Sequence, residues 1–292
     1  YLYILIFLYI LLNLYLIYIM QNSRYAYVTM LYGDNDYFLG TLIFILSLLK
    51  TKPKYDTVLL YTFDVPTYKL DILKKYYTRT KEITYIQLKH KIRRKRFQNI
   101  FTKLKIFTLI DYEKILYLDN DMYVQKNLDH IFHKYNTPAG LGISEDLEFK
   151  DNEKVHKNKV VFNAGTWLIK PSIKDFKRML SGIKNFNTNN ELEQEYVSYF
   201  YNKKWTNMSY KYNYQFGLAS FSNNKRGQLY DKINNGNLND IYIIHYSSPK
   251  KPWNYLLNDE LRNKNQNFRN DFKFYGIWIN LFIKTYKKFI KN

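Results

Sequence analysis

The chain has 292 residues, 45 Lys and Arg against 25 Asp and Glu, a formal net charge of +20, 46% hydrophobic residues and no cysteine. That apolar fraction supports a packed core and excludes wholesale disorder; the missing cysteines exclude a disulfide scaffold, a thiolate zinc site, an iron–sulfur cluster and a cysteine nucleophile. The charge suggests a polyanionic partner, but Lys, Asn, Ile, Phe, Tyr and Leu can all be encoded with A and T alone, and base composition accounts for more of it.

Residues 1–19 are almost wholly apolar and long enough for a bilayer-spanning helix. No basic residue precedes them, and Met20 stands just before the polar run QNSR. Translation is therefore expected to start at Met20, with residues 1–19 as upstream sequence. On that expectation the working unit is one domain over 20–292 in the cytoplasm. A signal anchor at 1–19 would instead place it at an ER or Golgi membrane.

From Tyr25 onward, short β-rich runs alternate with longer helical ones. YAYVTML (25–31) reads as a strand, YGDND as a turn, and 37–50 as a helix that ends before Pro53. TVLLYTF (57–63) is a second strand, a helix runs from Pro66 to Tyr76, and EITYIQL (82–88) is a third strand. The basic loop KHKIRRKR (89–96) leads into a helix over 99–112. KILYLD (114–119) is apolar enough to be central in a parallel sheet. Strands at 139–144 and 162–170 flank a charged insert, 145–159, expected to be mobile. Helices follow at 172–183 and 192–202, a strand at 241–246, and a basic, aromatic, amphipathic helix over 274–289. This alternation predicts an α/β fold with a Rossmann-like, mostly parallel central sheet flanked by helices, ligands gathering at the carboxyl ends of the strands.

Asp119-Asn120-Asp121 falls where the strand KILYL runs out. Two carboxylates two residues apart at a strand end can share a hard divalent cation. Asp34-Asn35-Asp36 repeats the triplet after the first strand, but it lacks a comparably apolar lead-in and reads as a turn beside the site. His245 ends another strand far downstream, and an Asp/Asp/His set suits Mn2+.

Five segments occur in a telling order and spacing: YVTMLYGDNDYFLGTL, then FTKLKIFTLIDYEKILYLDNDMYV, FNAGTWLIKPS, LEQEYVSYF and HYSSPKKPWNY. Together they resemble the glycogenin-like nucleotide-sugar glycosyltransferases, glycosyltransferase family 8, which also holds the galactinol synthases. The resemblance covers most of residues 25–255. It implies a GT-A fold, a UDP-sugar donor with UDP-glucose as the first guess, Mn2+ with Mg2+ as the alternative ion, and hexose transfer with retention. By the same resemblance Asp119, Asp121 and His245 hold the metal, Lys251 of KPW contacts the diphosphate, and Lys103 of FTKLK lies near the sugar and phosphates. Arg94 matches an arginine that reaches the diphosphate. Thr29 and Leu31 with a stacking Tyr37 resemble the uridine pocket, and Asn120 and Ser248 join the implied donor contacts. On the sugar side, Asn163 and Gly165 match an N-x-G motif and Glu193-Gln194 a D-Q motif; Glu193, Gln194 and Asn163 form the implied catalytic set.

Three positions depart from the family pattern: Glu193 replaces an Asp one methylene shorter, Ser248 replaces a Gly, and Ala164 replaces a Ser. Neither Ser248 nor Ala164 is a metal ligand, so activity is expected to survive those two changes, while the longer Glu193 would reach the sugar from a slightly different place. The implied partners are the UDP-sugar and a hydroxyl acceptor: a polyol, a glycan, or one of the chain's own Tyr210, Tyr212 and Tyr214. A homodimer is compatible with this reading and no nucleic-acid partner is expected.

Each residue also has a duller reading. Lys103 and Lys251 could be surface lysines, Tyr37 a cap on the core, 89–96 a solvated loop and Trp253 a packing residue. Asn207-Met208-Ser209 is a glycosylation sequon, relevant only in a secretory compartment. Two other function classes compete. A haloacid-dehalogenase-like phosphohydrolase also carries an aspartate pair at a strand end, but Met122 and Tyr123 follow it here where that motif has a small residue and then Thr or Val. A non-catalytic basic module would bind nucleic acid or membrane without Mn2+ and lose binding steeply with salt.

Overall fold

A computed structural model of the chain describes residues 24–88, 99–143, 151–155, 161–183, 186, 193–201, 204–215, 238–256 and 272–291. In chain order the elements are β1 (Tyr25–Leu31), α1 (Tyr37–Lys50), β2 (Asp56–Thr62), α2 (Thr67–Lys74), β3 (Arg79–Ile83), a 3-10 run (Ile100–Thr108), β4 (Lys114–Leu118) and β5 (Met122–Val124). There follow α3 (Ile131–Lys134), β6 (Ala139–Ile143), β7 (Lys154–Val155), β8 (Val161–Ile169), α4 (Ile173–Gly182), α5 (Glu193–Phe200) and β9 (Trp205–Asn207). The last elements are β10 (Tyr214–Gln215), β11 (Ile243–His245), α6 (Pro252–Leu256) and α7 (Phe272–Lys291).

The main sheet has eight strands in the order β3-β2-β1-β4-β8-β6-β9-β7. It is parallel from β3 through β4, as the βαβ pattern predicts. Beyond β4 it is mixed: β8 runs antiparallel to both β4 and β6, β6 and β9 are parallel, and β7 is antiparallel to β9. β1 pairs on both edges and every one of its residues is buried, which explains why it is apolar but for Thr29. The third strand forms over 79–83 rather than 82–88, in register Val58↔Arg79 to Thr62↔Ile83 against β2. The helix expected over 99–112 is a 3-10 run over 100–108, which buries Phe101, Leu104 and Phe107 against the sheet. Of the insert at 145–159, residues 151–155 are described and supply β7; residues 1–19 and 89–96 lie outside the described residues. Among the described residues, no helix is long and apolar enough to cross a membrane.

A second, three-stranded sheet, β10-β11-β5, stands at the carboxyl end of β4 and was not legible from periodicity. Strands of two or three residues are too short to show a period of two. Three apolar layers support these sheets. Phe101, Leu104 and Trp167 cluster with the 3-10 run, and Phe44, Leu116 and Phe132 with the first helices. Tyr123, Ile244, Trp253, Phe274 and Trp278 join the small sheet to α6 and α7. Ser47 inside α1 donates its hydroxyl to Phe44 O and accepts Val124 N at 3.0 Å, so the helix and β5 are tied by a satisfied polar bond.

Candidate metal and donor site

β4 ends at Leu118, and its pairing with β8 continues through Asp119 N donating to Gly165 O at 2.9 Å. The chain then turns into β5, whose antiparallel register sets Met122 opposite His245 on β11. Tyr246 N donates to Asp121 O at 2.9 Å and closes the junction. These two pairings bring residues 126 positions apart to one place. Asp119, Asp121 and His245 each offer a ligand atom, and those atoms lie within 4.8 Å of one another. Two carboxylates and an imidazole are a donor set that fits a divalent cation. Gly165 makes room for the His245 imidazole: a Cβ there would stand 2.5 Å from His245 Cε1 and 2.8 Å from Asn163 Oδ1.

Two lysines flank the ligands, and both are buried, at 5% and 7% exposure, which excludes the surface-lysine reading. Lys251 Nζ pairs with Asp121 Oδ2 at 2.5 Å and donates to Tyr246 O at 2.7 Å. Burial alone would raise the Asp121 carboxyl; Lys251 and His245 outweigh it and hold the group well below the usual carboxylate range. Lys103, from the 3-10 run, reaches Glu193 Oε1 at 2.8 Å, Asp119 Oδ1 at 3.1 Å and Ala164 O at 3.1 Å. Burial would lower its pKa, but the two carboxylates raise it, so Lys103 stays charged. Glu193 shares that one cation with Asp119, and burial pushes its carboxyl up despite Lys103. Its Oε2 is buried without a hydrogen-bond partner among the described residues, an acceptor left open beside the ligands.

The other expected site residues divide into those gathered here and those held elsewhere. Asn163 Oδ1 accepts Gly165 N and Asn213 Nδ2, each at 2.8 Å, next to His245. Tyr37 opens α1 with its ring edge-on to Trp253, centroids 5.2 Å apart, and Lys251 Nζ lies 5.8 Å from the Tyr37 ring. Trp253 is buried and packs, as its duller reading has it. Asn120 turns its amide onto Met30 O at 2.9 Å and Thr41 Oγ1 at 3.1 Å, so that side chain braces the turn against β1 and α1. Thr29 is buried in β1 with its hydroxyl unpartnered among the described residues, and Leu31 is buried in the apolar layer with Leu42 and Phe44. Ser248 donates to Lys250 O at 2.6 Å, inside the turn that precedes Lys251. Gln194 Nε2 donates to Glu195 Oε1 at 3.3 Å. Arg94 lies outside the described residues. At the second triplet, Asp34 pairs with Lys69 and Asn35 accepts Tyr37 N at 2.9 Å, a turn that starts α1, as expected.

Sequence reasoning missed Asn213 and Gly40. Asn213 bonds to both His245 and Asn163, and no motif marks it. Gly40 lets α1 approach within 2.7 Å, measured from an added Cβ, of both Asn120 O and the Trp253 ring.

A model of the family "Glycosyl transferase family 8" matches residues 28–256. An uncharacterized protein, R707, of Acanthamoeba polyphaga mimivirus is 34% identical over 92% of this chain and 98% of its own. Galactinol synthase 1 of Solanum lycopersicum is 28% identical over 82% of this chain and 77% of its own. Among solved structures, the glycosyltransferase GlyE of Streptococcus pneumoniae TIGR4 superposes with a TM-score of 0.58 at 20% identity, over 91% of this chain; the chain spans 64% of that protein's length. The fold is therefore of the GT-A type.

Proposed function

This chain belongs to glycosyltransferase family 8, and on that premise we propose that it moves a hexose, glucose first, from a UDP-sugar to a hydroxyl acceptor with retention at the anomeric carbon. The observation that supports this most is the convergence of Asp119, Asp121 and His245 within 4.8 Å, flanked by two buried lysines. Asp119, Asp121 and His245 would hold Mn2+, which supplies Lewis-acid neutralisation of the charge on departing UDP. Lys251 and Lys103 are pre-positioned cations, and in a water-poor site such fixed charges stabilise developing negative charge at little reorganisation cost. Arg94, outside the described residues, is proposed to join them. Tyr37, with Thr29 and Leu31 at the end of β1, is the proposed uridine side.

On the sugar side, Glu193 and Asn163 orient the transferred hexose, with Gln194 beside them. The unpartnered Oε2 of Glu193 is available to accept a sugar hydroxyl, while Oε1 is anchored by Lys103. The acceptor is a polyol, a glycan or a tyrosine of the chain itself.

The test is UDP release from UDP-glucose with Mn2+ present. Asp121→Asn is expected to abolish release while circular dichroism shows a retained fold, with a lowered unfolding midpoint because buried Lys251 loses its charged partner; unchanged turnover would refute the metal assignment. Intact mass before and after incubation separates the acceptors. Gain in hexose steps means self-transfer, and release without gain means a separate acceptor or hydrolysis.

A further inference from the structure

Asn213 carries a role that no motif announces. It follows the 3-10 turn Tyr210–Tyr212, its backbone N donates to Tyr210 O at 3.0 Å, and it is 1% exposed. One end of its amide meets His245 Nδ1 at 2.7 Å, and the other meets Asn163 Oδ1 at 2.8 Å. Both of its polar atoms are therefore committed to neighbours in the site.

The polarity of this chain of bonds is forced from one end. Gly165 N is a backbone donor and meets Asn163 at 2.8 Å, so the Asn163 atom it meets is the oxygen. An oxygen there requires a donor from Asn213, which fixes Asn213 Nδ2 on that side and Oδ1 toward His245. An amide oxygen only accepts, so His245 Nδ1 must carry the proton. In the neutral ring, Nε2 then holds the lone pair, and it faces Asp121 Oδ1 at 3.2 Å. Two acceptors that close need a cation or a proton between them. Glycine at 165 leaves room for this ring orientation, since a Cβ there would stand 2.5 Å from His245 Cε1.

We propose that Asn213 is a positioning residue: it fixes His245 as the Nδ1–H tautomer, so that Nε2 is the ligand nitrogen, and it links that ligand to Asn163 on the sugar side. This inference rests on the metal-centre reading above. A positioning partner of a ligand histidine commonly changes metal affinity 10–100-fold when removed.

The experiment uses the full chain without nucleotide. Mn2+ binding is measured by calorimetry for wild type, Asn213→Ala and Asn213→Asp. The His245 ring is observed in metal-free protein by long-range 1H–15N NMR, about two pH units above the ordinary imidazole pKa, and assigned with His245→Gln. The expected result is a protonated Nδ1 in wild type and Mn2+ binding weakened about 10–100-fold in Asn213→Ala. In Asn213→Asp, binding is expected to weaken less than in Asn213→Ala, because a carboxylate oxygen still accepts from Nδ1–H. That variant still loses the donor to Asn163 and should release UDP more slowly. A wild-type Nδ1 without its proton overturns the proposal, as does an Ala variant that binds Mn2+ like wild type or an Asp variant that loses as much affinity as Ala. If Asn213→Ala does not fold, the wild-type ring spectrum and the Asp variant decide it. Wild type that binds no Mn2+ but keeps Nδ1 protonated removes the metal reading and leaves the tautomer assignment standing.

Discussion

At the scale of single residues, burial separates the two lysines of the candidate site from the surface lysines. Lys103 has the same composition-driven prior as any other lysine in this chain, yet it lies between Asp119 and Glu193 with 5% exposure. A charge taken out of water persists only when paired and hydrogen-bonded, and three acceptors at 2.8–3.1 Å meet that condition. Removing one partner of a buried pair strands the other, typically at a cost of about 3–5 kcal/mol. Lys103→Met should therefore lose about that much stability at pH 7 in urea unfolding. The sign with pH follows from Glu193. Its carboxyl is raised by burial, and without Lys103 it rises further above its ordinary value of 4.5. The penalty is then absent below that ordinary value and grows as pH rises, so the deficit should shrink on acidification. A variant as stable as wild type at pH 7 would show that the lysine is not compensating Glu193. Asp119, Asp121 and His245 were legible through the apolar strand that leads into the pair and the ordered motifs around it, since the triplet at Asp34–Asp36 shows that such a pair alone is as easily a turn. Asn213 was not, since an asparagine after a turn has many structural uses.

At the scale of elements, the helices and parallel strands of the first half follow from hydrophobic period, and the site depends on pieces too short to have one. β5 and β11 are three residues each and β10 two, yet their register sets His245 across from Met122 and beside Gln215. α1 shows the same limit in a different way. Gly40 sits inside it, where glycine ordinarily costs about 0.5–1 kcal/mol relative to alanine, so sequence alone argues for replacement. The close approach of Asn120 O and Trp253, each 2.7 Å from an added Cβ, reverses that sign. Gly40→Ala should destabilise the protein by about 1–3 kcal/mol, the ordinary cost of overpacking, read as a lowered urea midpoint. A raised midpoint would mean that the helix does not pack as described.

At the scale of the whole molecule, α7 belongs to the scaffold of the site rather than to a tail. Phe274, Tyr275 and Trp278 share one apolar layer with Trp253 and Tyr246, next to Lys251. That packing also bears on the acceptor. Tyr212 is 4% exposed with its hydroxyl 2.7 Å from His130 Nε2, and Tyr214 is 1% exposed and stacked on Phe274. After incubation with UDP-glucose, peptide mapping should find no hexose on Tyr212 or Tyr214, and modification of either would contradict this packing. The sequon residue Asn207 is likewise 2% exposed, with its Oδ1 accepting Gly142 N at 2.8 Å. Membership of family 8 removes the phosphohydrolase and nucleic-acid-module readings. The +20 charge therefore matters at the site mainly through Lys103 and Lys251. The parallel half-sheet, the two carboxylates at the end of β4 and the family can be read from the chain alone, because they are written in local period and ordered motifs. The burial of Lys103 and Lys251, the nitrogen of His245 that faces Asp121 and the need for glycine at 40 and 165 come from tertiary packing alone. Those outcomes depend on distances between residues tens to hundreds of positions apart, which no local pattern encodes.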